Sequence, residues 1–280
     1  MLPLILVLAG AAGQEPPVFR TGVETVYLDV FVTRDGLPVE GLSAKNFEVS
    51  DDGARQRVEL VPVKALPLRT LLVFDTSLSL GAYKLEHLRK AATHLVTHLR
   101  PDDPVEVLAF NEQVRSTVIR VAADLASALA PAPRGGTALN DALFAALLRS
   151  GPERTMVIAF TDGEDNMSWL GETQLLDYAR RTSAVLHGVA IVPRAQAERA
   201  ERAELRFLRR AAESTGGNLW TAPGAAGLLA TFDQILAAMR HRYLLRFEPD
   251  PPRAGWHDLR VRLRGARGRV AARPGYWIEP

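Results

Sequence analysis

Three segments of this 280-residue chain carry oxygen-bearing side chains that could converge on one centre. The first reads Phe74-Asp75-Thr76-Ser77-Leu78-Ser79, an Asp-x-Ser-x-Ser pattern directly after the apolar run Leu71-Leu72-Val73-Phe74. Alternate positions of one loop can aim at a single point. One carboxylate and two hydroxyls form a hard-oxygen donor set suited to Mg²⁺, Mn²⁺ or Ca²⁺ rather than Zn²⁺. A polar turn capping a helix would use the same residue types. The second segment, Gly135-Gly136-Thr137-Ala138-Leu139, offers a hydroxyl on a glycine-bearing loop ahead of a helical stretch. The third, Phe160-Thr161-Asp162-Gly163, ends another apolar run in an acid. If Asp75 and Asp162 share one sheet edge, they repel unless a cation sits between them. Capping does not require three loops that all deliver oxygen to one rim. Asp124, Asp141, Glu164 and Asp165 add acid nearby, and Asp141 and Asp165 are candidates to orient water around an ion. Helix capping and solubility are their alternatives. Trp169 and Leu170 follow the Asp162 loop as a lip for a ligand or a local hydrophobic lid.

Other chemistry is poorly served. A haloacid-dehalogenase-type nucleophile loop needs a second acid where Ser77 stands. His94-Leu95-Val96-Thr97-His98 has zincin spacing but lacks the glutamate a zincin needs at position 95, and reads as a solvated helix face. No Walker-type phosphate loop and no Gly-x-Ser-x-Gly elbow is present. The chain contains no cysteine, which excludes disulfides, thiolate metal sites and a cysteine nucleophile. The expectation is a protein that is not an enzyme.

The elements that must position these loops fall into three blocks. Val23–Val32, Phe47–Ser50 and Arg57–Val63 are short and β-branched or aromatic, with Asp35-Gly36 and Asp52-Gly53 as turn signals. From Leu66-Pro67 onward, buried strands alternate with helices. Strands are expected at Arg69–Phe74, Val105–Phe110, Val114–Arg120, Met156–Phe160, Val185–Val192 and Asn218–Thr221. Helices are expected at Tyr83–Leu99, Thr137–Leu148, Thr173–Thr182, Ala197–Ser214 and Ala225–Met239. This alternation implies an α/β fold, with a mostly parallel sheet covered by helices on both faces. After His241 the chain is β again, at Tyr243–Phe247, His257–Leu263 and Val270–Trp277. Neither end has enough strands to bury a core alone, so residues 18–66 and 241–280 are expected to meet as one small all-β module beside the domain at 67–240.

Charge and the N-terminal residues bound the setting. The formal net charge is only +2, which gives no reason to invoke nucleic acid. The arginines from Arg260 to Arg273 read as a solvated sheet face. Residues 1–13 carry an apolar run too short to span a bilayer, ending in Ala11-Ala12-Gly13, a cleavage tripeptide before Gln14. No Lys or Arg precedes Arg20. A signal peptide, export to the periplasm or beyond, and no integral membrane segment after cleavage are expected.

Asp75-x-Ser77-x-Ser79, Thr137 and Asp162, in this order and spacing, resemble the metal-ion-dependent adhesion site of von Willebrand factor type A domains. The surrounding residues from about Leu68 to Arg240 resemble that family too. The flanks, including Gly41–Phe47, Asp51-Asp52-Gly53, Arg242–Arg246 and Arg273–Tyr276, are similar to those of a bacterial exported subgroup. The resemblance implies a Rossmann-like, doubly wound six-stranded sheet of order 3-2-1-4-5-6. It implies one bound Mg²⁺ (or Mn²⁺ or Ca²⁺), with direct ligation by Ser77, Ser79 and Thr137 while Asp75 and Asp162 act largely through water. The implied partner is a protein presenting an Asp or Glu carboxylate. A hydrolase or enzyme subunit using the same site, or a structural protein with a vestigial site, are the alternatives.

Overall fold

The computed structural model describes residues 25–63, 66–151, 153–162, 165–192, 203–250 and 253–279. The candidate leader at 1–13, Gly163 and Glu164, and the first residues of the helix expected from Ala197 lie outside them. In chain order the first block contains β1 (Val26–Arg34), β2 (Leu37–Pro38), β3 (Phe47–Asp51), β4 (Ala54–Gln56) and β5 (Glu59–Val61). The central block runs β6 (Arg69–Asp75), α1 (Gly81–Thr97), β7 (Val105–Phe110), β8 (Val114–Ile119), α2 (Ala122–Ala128), α3 (Leu139–Leu148), β9 (Thr155–Thr161), α4 (Glu172–Arg181), β10 (Val185–Val192), α5 (Ala203–Ser214), β11 (Leu219–Pro223) and α6 (Leu228–Arg240). The last block is β12 (Tyr243–Phe247), β13 (Gly255–Leu263), β14 (Arg269–Ala271) and β15 (Gly275–Ile278).

The central sheet has six strands in the order β11-β10-β9-β6-β7-β8. Its pairings are parallel except for the β7–β8 hairpin. Counted from β6 within the sheet, this is the order 3-2-1-4-5-6. Period-two alternation along each strand feeds two cores. Leu72 and Phe74 join Ile158 and Phe160 under α1, α2 and α6. Leu71 and Val73 join Val157 and Ala159 under α3, α4 and α5. Both faces are therefore covered, which is why the strands read as continuous apolar runs.

The outer strands of the chain form two antiparallel sheets, β14-β1-β12-β5 (with β2 on β1) and β15-β13-β3-β4. They enclose a third core built from Val26, Leu28, Val30, Phe47, Val49, Leu245, Phe247, Leu259, Tyr276 and Ile278. Two sequence expectations change here. Val270–Trp277 is not one strand, because Pro274 cannot donate to a ladder and the chain switches sheets between β14 and β15. Arg57–Val63 likewise shortens to β5 (Glu59–Val61), while β4 lies before it and belongs to a different sheet. Helix α2 was not anticipated. Asp124 caps it by accepting the Arg120 and Val121 N–H groups at 2.8 and 3.1 Å, so that acid is a capping residue. In the arginine run, Arg260, Arg262 and Arg264 are exposed as a solvated face requires, but Arg273 is buried.

The β module is joined to the central sheet by buried charge. Arg154, at the foot of β9, binds the Asp29 carboxylate of β1 through Nε and Nη2 at 2.8–3.2 Å. Arg242, between α6 and β12, lies 3.4 Å from the same carboxylate and donates to the Asp29 and Gly216 carbonyls at 3.0 and 2.9 Å.

Candidate metal centre

The carboxyl edge of a parallel sheet is where ligands bind in open α/β folds, and Asp75 and Asp162 emerge there from neighbouring strands β6 and β9. Asp75 is fully buried. Its Oδ1 accepts the Ser77 N–H at 2.8 Å, and its Oδ2 accepts the Thr161 hydroxyl at 2.8 Å. Burial pushes the Asp75 carboxyl above the ordinary carboxylate range. The hydrogen bonds from Ser77 and Thr161 oppose that rise, and the nearby Asp162 charge adds to it. The Ser77 and Ser79 hydroxyls lie 3.0 Å apart, and Ser79 Oγ donates to Asp162 Oδ1 at 3.1 Å. Four of the five expected residues thus form one connected group.

The fifth, Thr137, arrives on a loop bound to the first. Leu78 N–H donates to the Gly135 carbonyl, and Arg134 N–H to the Thr76 carbonyl, both at 3.1 Å. Gly135 has φ +72°, which favours glycine. A Cβ on Gly136 would fall 2.4 Å from Met167 Cγ, so a side chain there would have to displace that of Met167. Thr137 is buried, with its N–H on Asn166 Oδ1 at 2.8 Å and its carbonyl accepting from Asn166 and Met167.

Two features could not be read from the sequence. The Lys84 ammonium, one turn into α1, pairs with Asp162 Oδ2 and lies 3.4 Å from the Ser79 carbonyl. The carboxylates of Asp141 and Asp165, expected as acids that orient water, pin the loop after Asp162. Asp141 accepts the Trp169 and Leu170 N–H groups, each at 3.0 Å. Asp165 accepts the Ser168 hydroxyl at 2.6 Å, the Ser168 N–H at 3.1 Å and the Asn140 N–H at 2.7 Å. The pinned loop presents Trp169 at 96% exposure, with Met167 and Leu78 also exposed.

Elsewhere, His94 pairs with Asp233 at 2.8 Å and His98 Nδ1 contacts the His94 carbonyl, so neither forms a zincin-like pair. A cluster the sequence reading missed joins Asp51, Asp52 and His257. Its groups already have protein partners. His257 Nε2 donates to the Arg253 carbonyl at 2.6 Å, its Nδ1 faces Asp51 at 2.9 Å, Tyr276 donates to Asp51 at 2.7 Å, and Asp52 pairs with Arg253. The cluster therefore ties β3, β13 and β15 together inside the module.

No protein-family model and no curated protein matches the sequence. Solved structures do match. A von Willebrand factor type A protein from Catenulispora acidiphila is 13% identical and superposes with a TM-score of 0.51 over 92% of this chain and 74% of its own. The chain has the von Willebrand factor type A fold. Proximal thread matrix protein 1 from the mussel byssus matches with TM-score 0.53 and 18% identity, over 67% of this chain and 49% of that one. The present chain thus spans about half the length of the mussel protein. The pilus adhesin SpaC from Lactobacillus rhamnosus GG matches with TM-score 0.50 and 14% identity, over 77% of this chain and 35% of that one. Within the von Willebrand factor type A fold of this chain, the oxygen cluster occupies the loops at the carboxyl ends of β6 and β9 and the loop before α3.

The residues present fit a hard divalent cation. The donors are all carboxylate or hydroxyl oxygens, and Asp75 is a buried carboxylate with no cationic partner among the described residues. Ser77, Ser79, Thr137, Asp75 and Asp162 would hold the ion, with Lys84 leaving Asp162 to admit it.

Proposed function

We propose that this chain is a protein-interaction module that holds Mg²⁺, or Mn²⁺ or Ca²⁺, at Asp75, Ser77, Ser79, Thr137 and Asp162. Through the ion it would engage an Asp or Glu carboxylate of a protein partner outside the cytoplasm. The observation that carries this reading is the connected Ser77–Ser79–Asp162 group beside a buried Asp75 on an open sheet edge. Neutral hydroxyl ligands leave a bound cation electrophilic, and a partner's carboxylate would replace one of its waters. The reading assigns the chain no catalytic step. Export rests on the apolar run at 1–13, and one matching structure, a pilus adhesin, agrees with it. The test is capture of envelope proteins from the native organism on the immobilised chain in Mg²⁺. Bound partner should be released by a chelator, and retention without divalent cation overturns the reading.

Trp169 supplies apolar contact beside the ion. Trp169→Ser should weaken partner binding by about tenfold or more, the scale of an interface anchor. Mg²⁺ affinity, followed by calorimetry, should be unchanged because Trp169 is 96% exposed and is not one of the proposed ligands. A Trp169→Ser chain that binds partner as tightly as the wild type removes the residue from the interface.

One observation favours a second reading, a site that takes no ion: the Lys84 ammonium already neutralises Asp162. Titration of Lys84→Met separates the two. If an ion competes with Lys84, the variant should bind Mg²⁺ about fivefold more tightly, the equivalent of the roughly 1 kcal/mol that a partly exposed ion pair contributes. No Mg²⁺ binding by either protein establishes the vestigial site.

A further inference from the structure

At the opposite end of the central sheet from the oxygen cluster, a cavity of about 340 Å³ lies in the seam between the sheet and the β module. Its walls include Tyr27, Val61, Leu66, Pro67, Val185 and Leu244, with Ser183 and Thr215. They also include Asp29, Arg154, Arg273 and Glu153. The apolar groups make a body-sized slot, and the charges around it do not balance. The Asp29 side chain is 9% exposed, and both Arg154 and Arg242 are directed at its carboxylate. Arg242 has no exposed side-chain surface, and its Nε and Nη1 find no hydrogen-bond acceptor among the described residues. Glu153 is more than half exposed and leans on Arg69. Arg273 is buried, and its described hydrogen bonds go to the Gly275 and Arg180 carbonyls, at 2.6 and 2.9 Å.

A buried guanidinium without a counter-charge is costly, and carbonyl acceptors offset only part of that cost. Burial lowers both Arg242 and Arg273 to about 10. Both remain charged at neutral pH, so the seam carries buried positive charge in excess of its buried negative charge. An apolar slot with a few placed polar groups is the usual form of a small-ligand site, and planar guanidinium forks suit carboxylates.

We propose that this cavity binds a small organic carboxylate with a short apolar body, its carboxylate on Arg273 and its body against Val61, Val185 and Leu244. The site is separate from the metal centre, and its occupation does not depend on a metal ion. It assigns a role to the Arg242–Arg246 and Arg273–Tyr276 segments, which the binding function above leaves unused. A ligand there would touch β1 and β12 of the module and the feet of β9 and β10 together, so occupancy would also brace the two parts of the chain.

The experiment is a ligand-detected NMR titration of the full chain with hexanoate, hexanol and hexylammonium, in a chelator so that the metal centre plays no part. Hexanoate should bind at least about tenfold more tightly than hexanol, as a charge-assisted hydrogen bond implies, and hexylammonium least. Arg273→Met should bring hexanoate to the level of hexanol, at an unchanged circular dichroism spectrum. Should Arg273→Met not fold, Ser183→Trp serves instead. Ser183 is exposed at the cavity wall, so a tryptophan there should obstruct the cavity and lower hexanoate binding severalfold without disturbing the core. The proposal is overturned if hexanol or hexylammonium binds as well as hexanoate, if none of the three binds, or if hexanoate binding survives both substitutions.

Discussion

Replacing Asp75 by asparagine will abolish stabilisation of the chain by Mg²⁺ without weakening the metal-free protein. At a Mg²⁺ concentration a hundredfold above the dissociation constant, the wild type should gain about 2.7 kcal/mol against unfolding, and Asp75→Asn should gain none. The second half of the expectation follows from the cost of the buried carboxylate. Burial raises the Asp75 carboxyl above 3.8, so its folded state holds the proton more tightly than the unfolded chain does. The ionised form therefore costs stability. That cost sets in as pH rises from 3.8 through the folded value, and it is fully present at neutral pH in the absence of a cation. Asparagine preserves an acceptor for the Ser77 N–H and can donate to the Thr161 hydroxyl. Urea unfolding of both proteins at neutral pH, with chelator and with Mg²⁺, makes both comparisons. Equal Mg²⁺ stabilisation of the two proteins would remove Asp75 from the metal centre, and a less stable metal-free variant would refute the desolvation argument.

Loss of the Asp29 carboxylate should produce the largest drop in stability of any single substitution at the seam. Burial by itself would raise that carboxyl. The charge and hydrogen bonds of Arg154, and then the charge of Arg242, reverse this and hold it below 3.8. Asp29→Ala leaves two buried guanidinium groups without a carboxylate, and breaking a buried pair in this way costs about 3–5 kcal/mol. With domain stabilities on the order of 5–15 kcal/mol, this is enough to lower the urea midpoint markedly. The sign with pH is fixed by the depressed folded value. The Asp29 contribution is complete above 3.8 and is lost as pH falls through the folded value, so wild type and variant should converge in strong acid. The penalty comes from orphaned charge rather than lost attraction. Asp29→Leu combined with Arg154→Met and Arg242→Leu should therefore recover most of it. A loss under about 1 kcal/mol for Asp29→Ala, or no recovery in the triple variant, contradicts this account.

The central fold was legible because its signals are local. Each parallel strand is buried on both faces and is written as an unbroken apolar run, and each helix between them carries a one-sided stripe. The Asp-x-Ser-x-Ser loop was legible for a similar reason: its geometry is set within five residues. The order of the strands, and with it the adjacency of β6 and β9, came from the resemblance rather than from any pattern in the residues.

What the sequence by itself determined is therefore the list of oxygen donors and the strand ends that carry them. The tertiary structure decided what the neighbouring charges do. Asp141 and Asp165 lie near the cluster in sequence, but only the packing of the 165–170 loop against the start of α3 shows their carboxylates holding backbone N–H groups and exposing Trp169. Lys84 is an ordinary helical lysine until the first turn of α1 brings it to Asp162. Arg273 ends a run that reads as a solvated face, and Arg242 opens the β-like stretch after α6, yet both are buried. Their partners Asp29 and the Arg180 carbonyl are 213 and 93 residues away. A charge's environment is a property of the elements that close over it, and in this chain those elements come from both ends of the sequence.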